Sequence, residues 1–345
     1  MSYLEQEIAE QPEVIERFLT EEMPNVEMIA AAVREFAPAF VMIAARGTSD
    51  NAARYAQYWM GIEIGLPVAL AAPSINTLYG AQPHLGPALV IGISQSGYSE
   101  DVRQVVTDAK AQGAITLGIT NDAASPLAEE AAYHICLQAG VEKSVAATKT
   151  YTTQLLALAA LTVVLKGDKE KIASLTSLPK MVADTLKQSE NMAQWVERYR
   201  YVDRMAVLGR GLNYCTTFEI ALKIKELCYV TVEEYSEADF RHGPIAIISP
   251  GFPVMVVAPS GETLALMKDL LEKLSERQAE CIVVSDDAAA CALGYNHVLL
   301  PPDIPEWLSP ICAVIPGQLF AYHLAQSKGH QIDSPRGLQK VTITR

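Results

Sequence analysis

One pattern limits this chain more than any other: an apolar strand-like run, a polar turn and a helix recur, and the whole set then recurs. Phe40-Val41-Met42-Ile43-Ala44-Ala45 leads into Arg46-Gly47-Thr48-Ser49, and Ala88-Leu89-Val90-Ile91-Gly92-Ile93 leads into Ser94-Gln95-Ser96-Gly97. Ile115-Thr116-Leu117-Gly118-Ile119 ends in Thr120-Asn121-Asp122. Continuous apolar strands alternating with helices predict a parallel sheet covered on both faces. About 165 residues later the order returns, an offset far beyond solenoid periods and expected of a duplicated domain. There Arg204–Gly209 precedes Arg210-Gly211-Leu212-Asn213, Pro253–Val257 precedes Ala258-Pro259-Ser260-Gly261, and Cys281–Ser285 precedes Asp286-Asp287. The resulting division is an N-terminal helical segment 1–30, a first α/β domain 31–170, a helical linker 171–197, a second α/β domain 198–333 and a tail 334–345.

The length of 345 residues suits two such domains, and a hydrophobic fraction of 50% supplies their cores. A net charge of −13 argues against a nucleic-acid surface, which needs clustered Lys and Arg. The start of the chain lacks the basic-then-apolar order of a signal peptide, and no uninterrupted apolar stretch reaches membrane-spanning length. The expectation is a cytoplasmic protein without membrane or nucleic-acid partners. Six scattered cysteines, with no C-x-x-C and no histidine at ligand spacing, read as reduced, buried small hydrophobes. No metal or other cofactor is expected.

In an open parallel sheet, ligands bind beyond the carboxyl ends of the strands. Ser94-Gln95-Ser96-Gly97-Tyr98-Ser99 offers three hydroxyls, an amide and a glycine just before a helix. Such a turn can wrap a phosphate with hydroxyls, backbone N–H groups and the helix dipole. It can equally be a capped helix start. Thr48 and Ser49, at a second strand end, strengthen the phosphate reading. No glycine-rich nucleotide fingerprint follows a strand.

Glu219, Lys223 and Glu226 share one helix face, which the pattern alone reads as an exposed ion-pair row. The alternative is a carboxylate with a lysine neighbour, able to carry a proton between adjacent carbons. His242, held by Gly243-Pro244, could act as acid or base near neutral pH. Lys340 lies in a weakly charged tail, where lysines are usually solvated.

As an ordered set these residues resemble the double-SIS-domain phosphosugar isomerase family, and within it the isomerase half of glucosamine-6-phosphate synthase. The resemblance runs nearly end to end. It is carried by Glu7-Ile8-Ala9-Glu10-Gln11-Pro12, Arg46-Gly47-Thr48-Ser49, Ser94-Gln95-Ser96-Gly97 and Ala147-Thr148-Lys149. Ala221-Leu222-Lys223-Ile224-Lys225-Glu226, His242-Gly243-Pro244 and Pro335-Arg336-Gly337-Leu338-Gln339-Lys340 complete it. The fold implied is two tandem SIS domains, each a five-stranded parallel α/β sandwich of flavodoxin-like, three-layer type.

The resemblance also implies roles. Thr48, Ser49, Ser94, Gln95, Ser96 and Ser99 would hold the sugar phosphate, with Val145 and Glu142 in the loop lining the sugar pocket. Glu226 would move the proton between C1 and C2, with Lys223 assisting. His242 would open the sugar ring, reaching the site of a neighbouring subunit in a homodimer. Lys340 would form a Schiff base with the ketose carbonyl. No glutaminase domain precedes the two domains, so the chain is expected not to draw ammonia from glutamine itself. Tyr98, Ser99, Ala238-Asp239-Phe240 and Val341-Thr342 depart from the synthase and point to the stand-alone branch. The implied reaction is conversion of glucosamine 6-phosphate to fructose 6-phosphate and ammonia. A fructosamine-6-phosphate deglycase, a simple aldose–ketose isomerase and a non-catalytic phosphosugar-binding regulator remain as alternatives.

Overall fold

The computed structural model describes residues 2–340, so Val341 and Thr342 of the tail lie outside the described residues. The chain forms two compact bodies. One is built from residues 11–142, 149–179 and 339–340, the other from residues 2–10, 143–148 and 180–338. Each holds one five-stranded sheet whose recorded pairings are all parallel.

In the first body, β1 (Phe40–Ala44), β2 (Val68–Leu70), β3 (Ala88–Ile93), β4 (Ile115–Thr120) and β5 (Tyr133–Cys136) lie in the order β2-β1-β3-β4-β5. Every residue of β3 and β4 is buried, which accounts for their unbroken apolar runs. One face packs Ala44, Val90 and Leu127 against Val102, Val105 and Val106 of the helix Glu100–Ala111. Each fully buried Val or Leu among them contributes roughly 1.5–3 kcal/mol. The helices Thr48–Ile64 and Lys149–Lys166 pack together in the same body, and the latter is buried from Lys149 to Val164. Thr152, Thr153 and Thr162 satisfy their buried hydroxyls on carbonyls three or four residues earlier.

In the second body, β6 (Arg204–Gly209), β7 (Thr231–Ser236), β8 (Pro253–Val257), β9 (Glu280–Ser285) and β10 (Asn296–Leu299) lie in the order β7-β6-β8-β9-β10. This is the first order repeated, so the duplication extends to topology. One face is covered by the helix Leu264–Glu276 through Met267, Leu270, Leu271 and Leu274. The helices Tyr214–Cys228 and Ser309–Ser327 pack on each other. Gly317 permits their close approach, since a Cβ there would lie 2.3 Å from Ile220 Cγ1. The segment Glu306–Ser327 is long and apolar enough to cross a membrane, yet it is 89% buried as a core helix of this body. No disulfide joins any of the six cysteines, all of which are among the described residues. Burial pushes the thiols of Cys228, Cys281 and Cys312 up to about 12 and that of Cys291 to about 11, which leaves them as thiols at neutral pH.

Candidate active site

In the first body, β1 and β3 are neighbours at the point where strand order reverses. Their register pairs Phe40 with Ala88 and Ala44 with Gly92, so both strands end at the same edge. Each is followed by a turn and the N-terminus of a long helix, Thr48–Ile64 or Glu100–Ala111. An open α/β sheet places its ligand crevice at this switch point. Arg46 Nε donates to the fully buried Asp101 Oδ2 at 2.6 Å and so joins the two turns.

The second turn closes on itself. Ser94 Oγ stands 3.2 Å from Ser99 Oγ and accepts the Gly97 N–H at 3.1 Å, while Ser96 Oγ accepts the Tyr98 N–H at 3.3 Å. Gly97 has φ +73°, and a Cβ there would lie 2.2 Å from Ser125 Oγ, so glycine alone fits. Ser99 occupies the N-cap position but makes no side-chain capping bond; its hydroxyl faces Ser94 instead. The ordinary capped-helix reading of the turn therefore does not account for it. Gln95 accepts the Asn121 N–H through its carbonyl at 3.0 Å. On the first turn, Ser49 is buried and accepts from Gln154 Nε2 at 3.0 Å, and Thr48 opens the helix.

Glu142 and Lys340 come together in this same body. The Lys340 Nζ donates to Glu142 Oε2 at 2.7 Å, and the Glu142 side chain is fully buried. Thr150 donates to Glu142 through its N–H at 3.2 Å and its hydroxyl at 2.8 Å. The tail lysine is thus held against a buried carboxylate, not freely solvated.

The second body carries the residues expected to do acid–base chemistry. The helix Tyr214–Cys228 is almost entirely buried, and so is much of the row that spacing alone reads as solvent-facing. Lys223 Nζ lies 3.4 Å from Glu219 Oε1 and 2.6 Å from Glu226 Oε2. The side chains of Glu219 and Lys223 are 0% and 1% exposed, against 22% for Glu226. One ammonium is therefore sealed between two carboxylates, of which only Glu226 is open to a ligand. Its Oε2 stands against the Lys223 ammonium as an ion pair. His242 is exposed where the helix Glu237–Arg241 ends. Glu237, buried in that helix, pairs with both Arg210 and Arg241 and fixes the turn. Val145 gives its N–H to the Asp333 carbonyl at 3.1 Å.

The two sheets with their turns match the SIS domain model over residues 40–164 and again over 199–328. The chain belongs to the SIS domain family. It is 35% identical over 344 residues to the glutamine–fructose-6-phosphate aminotransferase (isomerizing) of Aquifex aeolicus strain VF5, covering 99% of this chain. It spans only 57% of that relative's length. The C-terminal domain of the glucosamine-fructose-6-phosphate aminotransferase of Francisella tularensis superposes with a TM-score of 0.88 at 29% identity, over 97% of this chain and 98% of that one. The glucosamine-6-phosphate deaminase of Thermotoga maritima superposes with a TM-score of 0.82 over 99% of this chain and 100% of its own; at 22% identity it shares the fold alone.

The second SIS domain has a switch point too, between β6 and β8. Its turn is filled by the protein's own carboxylates: Asp286 Oδ1 accepts the Ser260 N–H at 2.6 Å and Glu306 Oε1 accepts the Glu262 N–H at 3.1 Å. Gly261 sits against Glu306, where a Cβ would lie 2.1 Å from Cδ. Sequence reasoning passed over Asp101, Gln154 and Asp333, and gave Arg46 and Glu7 no role beyond the motifs they open. Asp101 had a usable signal, an acidic residue in a helix first turn next to an anion-type loop; the others had none in local spacing.

Proposed function

We propose that the chain is a phosphosugar isomerase that converts glucosamine 6-phosphate to fructose 6-phosphate and ammonia. The observation that carries this reading is the buried Lys223 flanked by a sealed Glu219 and a reachable Glu226. A lone phosphate sensor has no use for such a row. Ser49, Ser94, Ser96 and Ser99, with Thr48 and Gln95, hold the phosphate through hydroxyls and two helix N-termini. Val145 and Glu142 flank the sugar.

His242 assists ring opening, supplied by the neighbouring copy in a homodimer. Glu226 then takes the C2 proton, acidified by the adjacent C1 carbonyl, and returns it to C1. Lys223 offsets the charge that develops on the oxygen. The product is a ketimine at C2. Water adds to it, the C–N bond breaks, and ammonia leaves as the C2 carbonyl forms. Lys340 offers a second route for the same exchange. After passing a proton to Glu142 its amine adds to C2 and expels the ammonia to leave a Schiff base; water then adds at C2, breaks the C2–Nζ bond and forms the C2 carbonyl with the lysine restored.

The test is coupled detection of ammonia and fructose 6-phosphate after adding glucosamine 6-phosphate to pure protein. Equal release of both, cut about 10²–10⁴-fold in Glu226→Gln with KM little changed, is expected. Release of neither product, or full activity in Glu226→Gln, would sink the assignment.

A further inference from the structure

We propose that Gln154 is a positioning residue for phosphate binding: its buried amide directs the Ser49 hydroxyl, so that the hydroxyl's own proton is left for a phosphate oxygen. The proposal rests on the reading of Ser49 as a phosphate ligand and extends it one residue inward. Both residues belong to the first body. A phosphate dianion accepts hydrogen bonds and donates none, so a serine serves it only through its proton. A hydroxyl has one proton and two lone pairs, and it can give the proton to any acceptor in reach. A neighbour that only donates fills a lone pair and commits the proton outward. Two serines of the site have such a neighbour close in sequence. Ser94 Oγ accepts the Gly97 N–H at 3.1 Å, and Ser96 Oγ accepts the Tyr98 N–H at 3.3 Å. For Ser49 the donor is Gln154 Nε2, at 3.0 Å and 105 residues further along the chain. The backbone N–H of Ser49 is taken by the Arg46 carbonyl at 3.1 Å, so the hydroxyl is what this residue can offer a ligand.

Gln154 stands on the helix Lys149–Lys166, buried from Lys149 to Val164, and is itself 0% exposed. Leu155, Leu156, Ala157 and Leu158, which follow it, are the aliphatic residues such a core helix favours. The amide is a costly departure from them. Its Oε1 is buried and has no hydrogen-bond partner among the described residues. Methionine or leucine would fill the same position without leaving a polar atom unmatched. The half of the amide that does find a partner is the half that meets Ser49. What the chain gains from Gln154 is therefore one donor on one hydroxyl, in a buried setting where such a bond is stronger than in water.

The experiment is a double-variant cycle on the full chain, read by titration calorimetry with glucosamine 6-phosphate. Ser49→Ala removes the hydroxyl and should weaken binding about 10–100-fold, the worth of a hydrogen bond to a charged group. Gln154→Met keeps the hydroxyl but lets its proton turn elsewhere, and a loss of about 3–10-fold is expected. Because Gln154 acts through Ser49, adding Gln154→Met to Ser49→Ala should change Kd by less than about twofold. A double-variant loss equal to the product of the two single losses overturns the proposal, since a residue that merely supports the fold acts whether or not the hydroxyl is present. So does an unchanged Kd in Gln154→Met beside a weakened Ser49→Ala. Should Gln154→Met fail to fold, Gln154→Leu completes the same cycle. In turnover the loss should appear in KM with kcat moved less than about twofold, and an equal fall in kcat would also overturn the proposal. Unchanged binding in Ser49→Ala would remove the phosphate reading of Ser49 and the role of Gln154 with it, an outcome distinct from the failure of Gln154 alone.

Discussion

Gly97→Ala tests the phosphate turn most directly, because two separate physical terms oppose it. An alanine at φ +73° pays the left-handed strain of an L residue, and its Cβ would lie 2.2 Å from Ser125 Oγ and 2.4 Å from Ser125 Cβ. Left-handed strain and overpacking together cost roughly 2–5 kcal/mol. For a domain of this size that is a fall in Tm of roughly 5–15 °C, read by calorimetry. The clash would be relieved by moving the turn, which displaces the Gly97 N–H from Ser94 Oγ and shifts Ser96 and Ser99 with it. Binding of glucosamine 6-phosphate, measured by titration calorimetry, should weaken about 10–100-fold, the worth of one or two hydrogen bonds to a charged group. The geometry also ranks the second-site changes. Ser125→Gly removes both clashing atoms and should recover the overpacking part, leaving the strain. Ser125→Ala keeps the Cβ at 2.4 Å and should recover little. Each is compared with its own single variant, because Ser125 Oγ also donates to Thr120 Oγ1 at 3.3 Å. Wild-type affinity in Gly97→Ala, or equal rescue by the two changes, would refute the reasoning.

Two further outcomes follow from buried charge. Lys223→Met leaves the Glu219 carboxylate buried without its facing ammonium and should cost about 3–5 kcal/mol in urea unfolding. Adding Glu219→Gln should restore most of that, and a single-variant loss under about 1 kcal/mol would contradict the sealed row. Burial holds the imidazoles of His134, His323 and His330 below the ordinary histidine value of 6.5, so they stay neutral in the folded chain where the unfolded chain takes up protons. The stability they contribute is full above about pH 6.5 and is lost as pH falls toward their folded values. His134→Gln should flatten that acid limb in urea melts at pH 5 to 8, and an unchanged limb would exclude His134.

Much of the fold was legible because the central strands are buried on both faces and must be apolar throughout. β1, β3 and β4, and their counterparts β6, β8 and β9, all announced themselves this way. The edge strands did not. β2 has only three residues and none is buried, and β7 reads Thr231-Val232-Glu233-Glu234-Tyr235-Ser236, with only Val232 and Ser236 buried. Such strands take their place from the neighbour they pair with, not from their own pattern. In the site, the serine turn was visible because it is contiguous. The row at Glu219, Lys223 and Glu226 was visible only as spacing. Spacing favoured an exposed face, since the burial of this helix comes from partners distant in sequence, such as Ser309–Ser327, whose Gly317 lies against Ile220. Ties such as Glu7 to Ser144 span too much sequence to be read from any local window.

The plugged turn of the second SIS domain shows what duplication allowed. Asp286 and Glu306 take the N–H groups of Ser260 and Glu262, donors that the turn would otherwise offer to an anion at that crevice. Its neighbouring helix could then accumulate a lysine and two carboxylates, a combination that would repel a phosphate held close by. On the proposed reading the two copies have become specialists, one for grip and one for proton traffic.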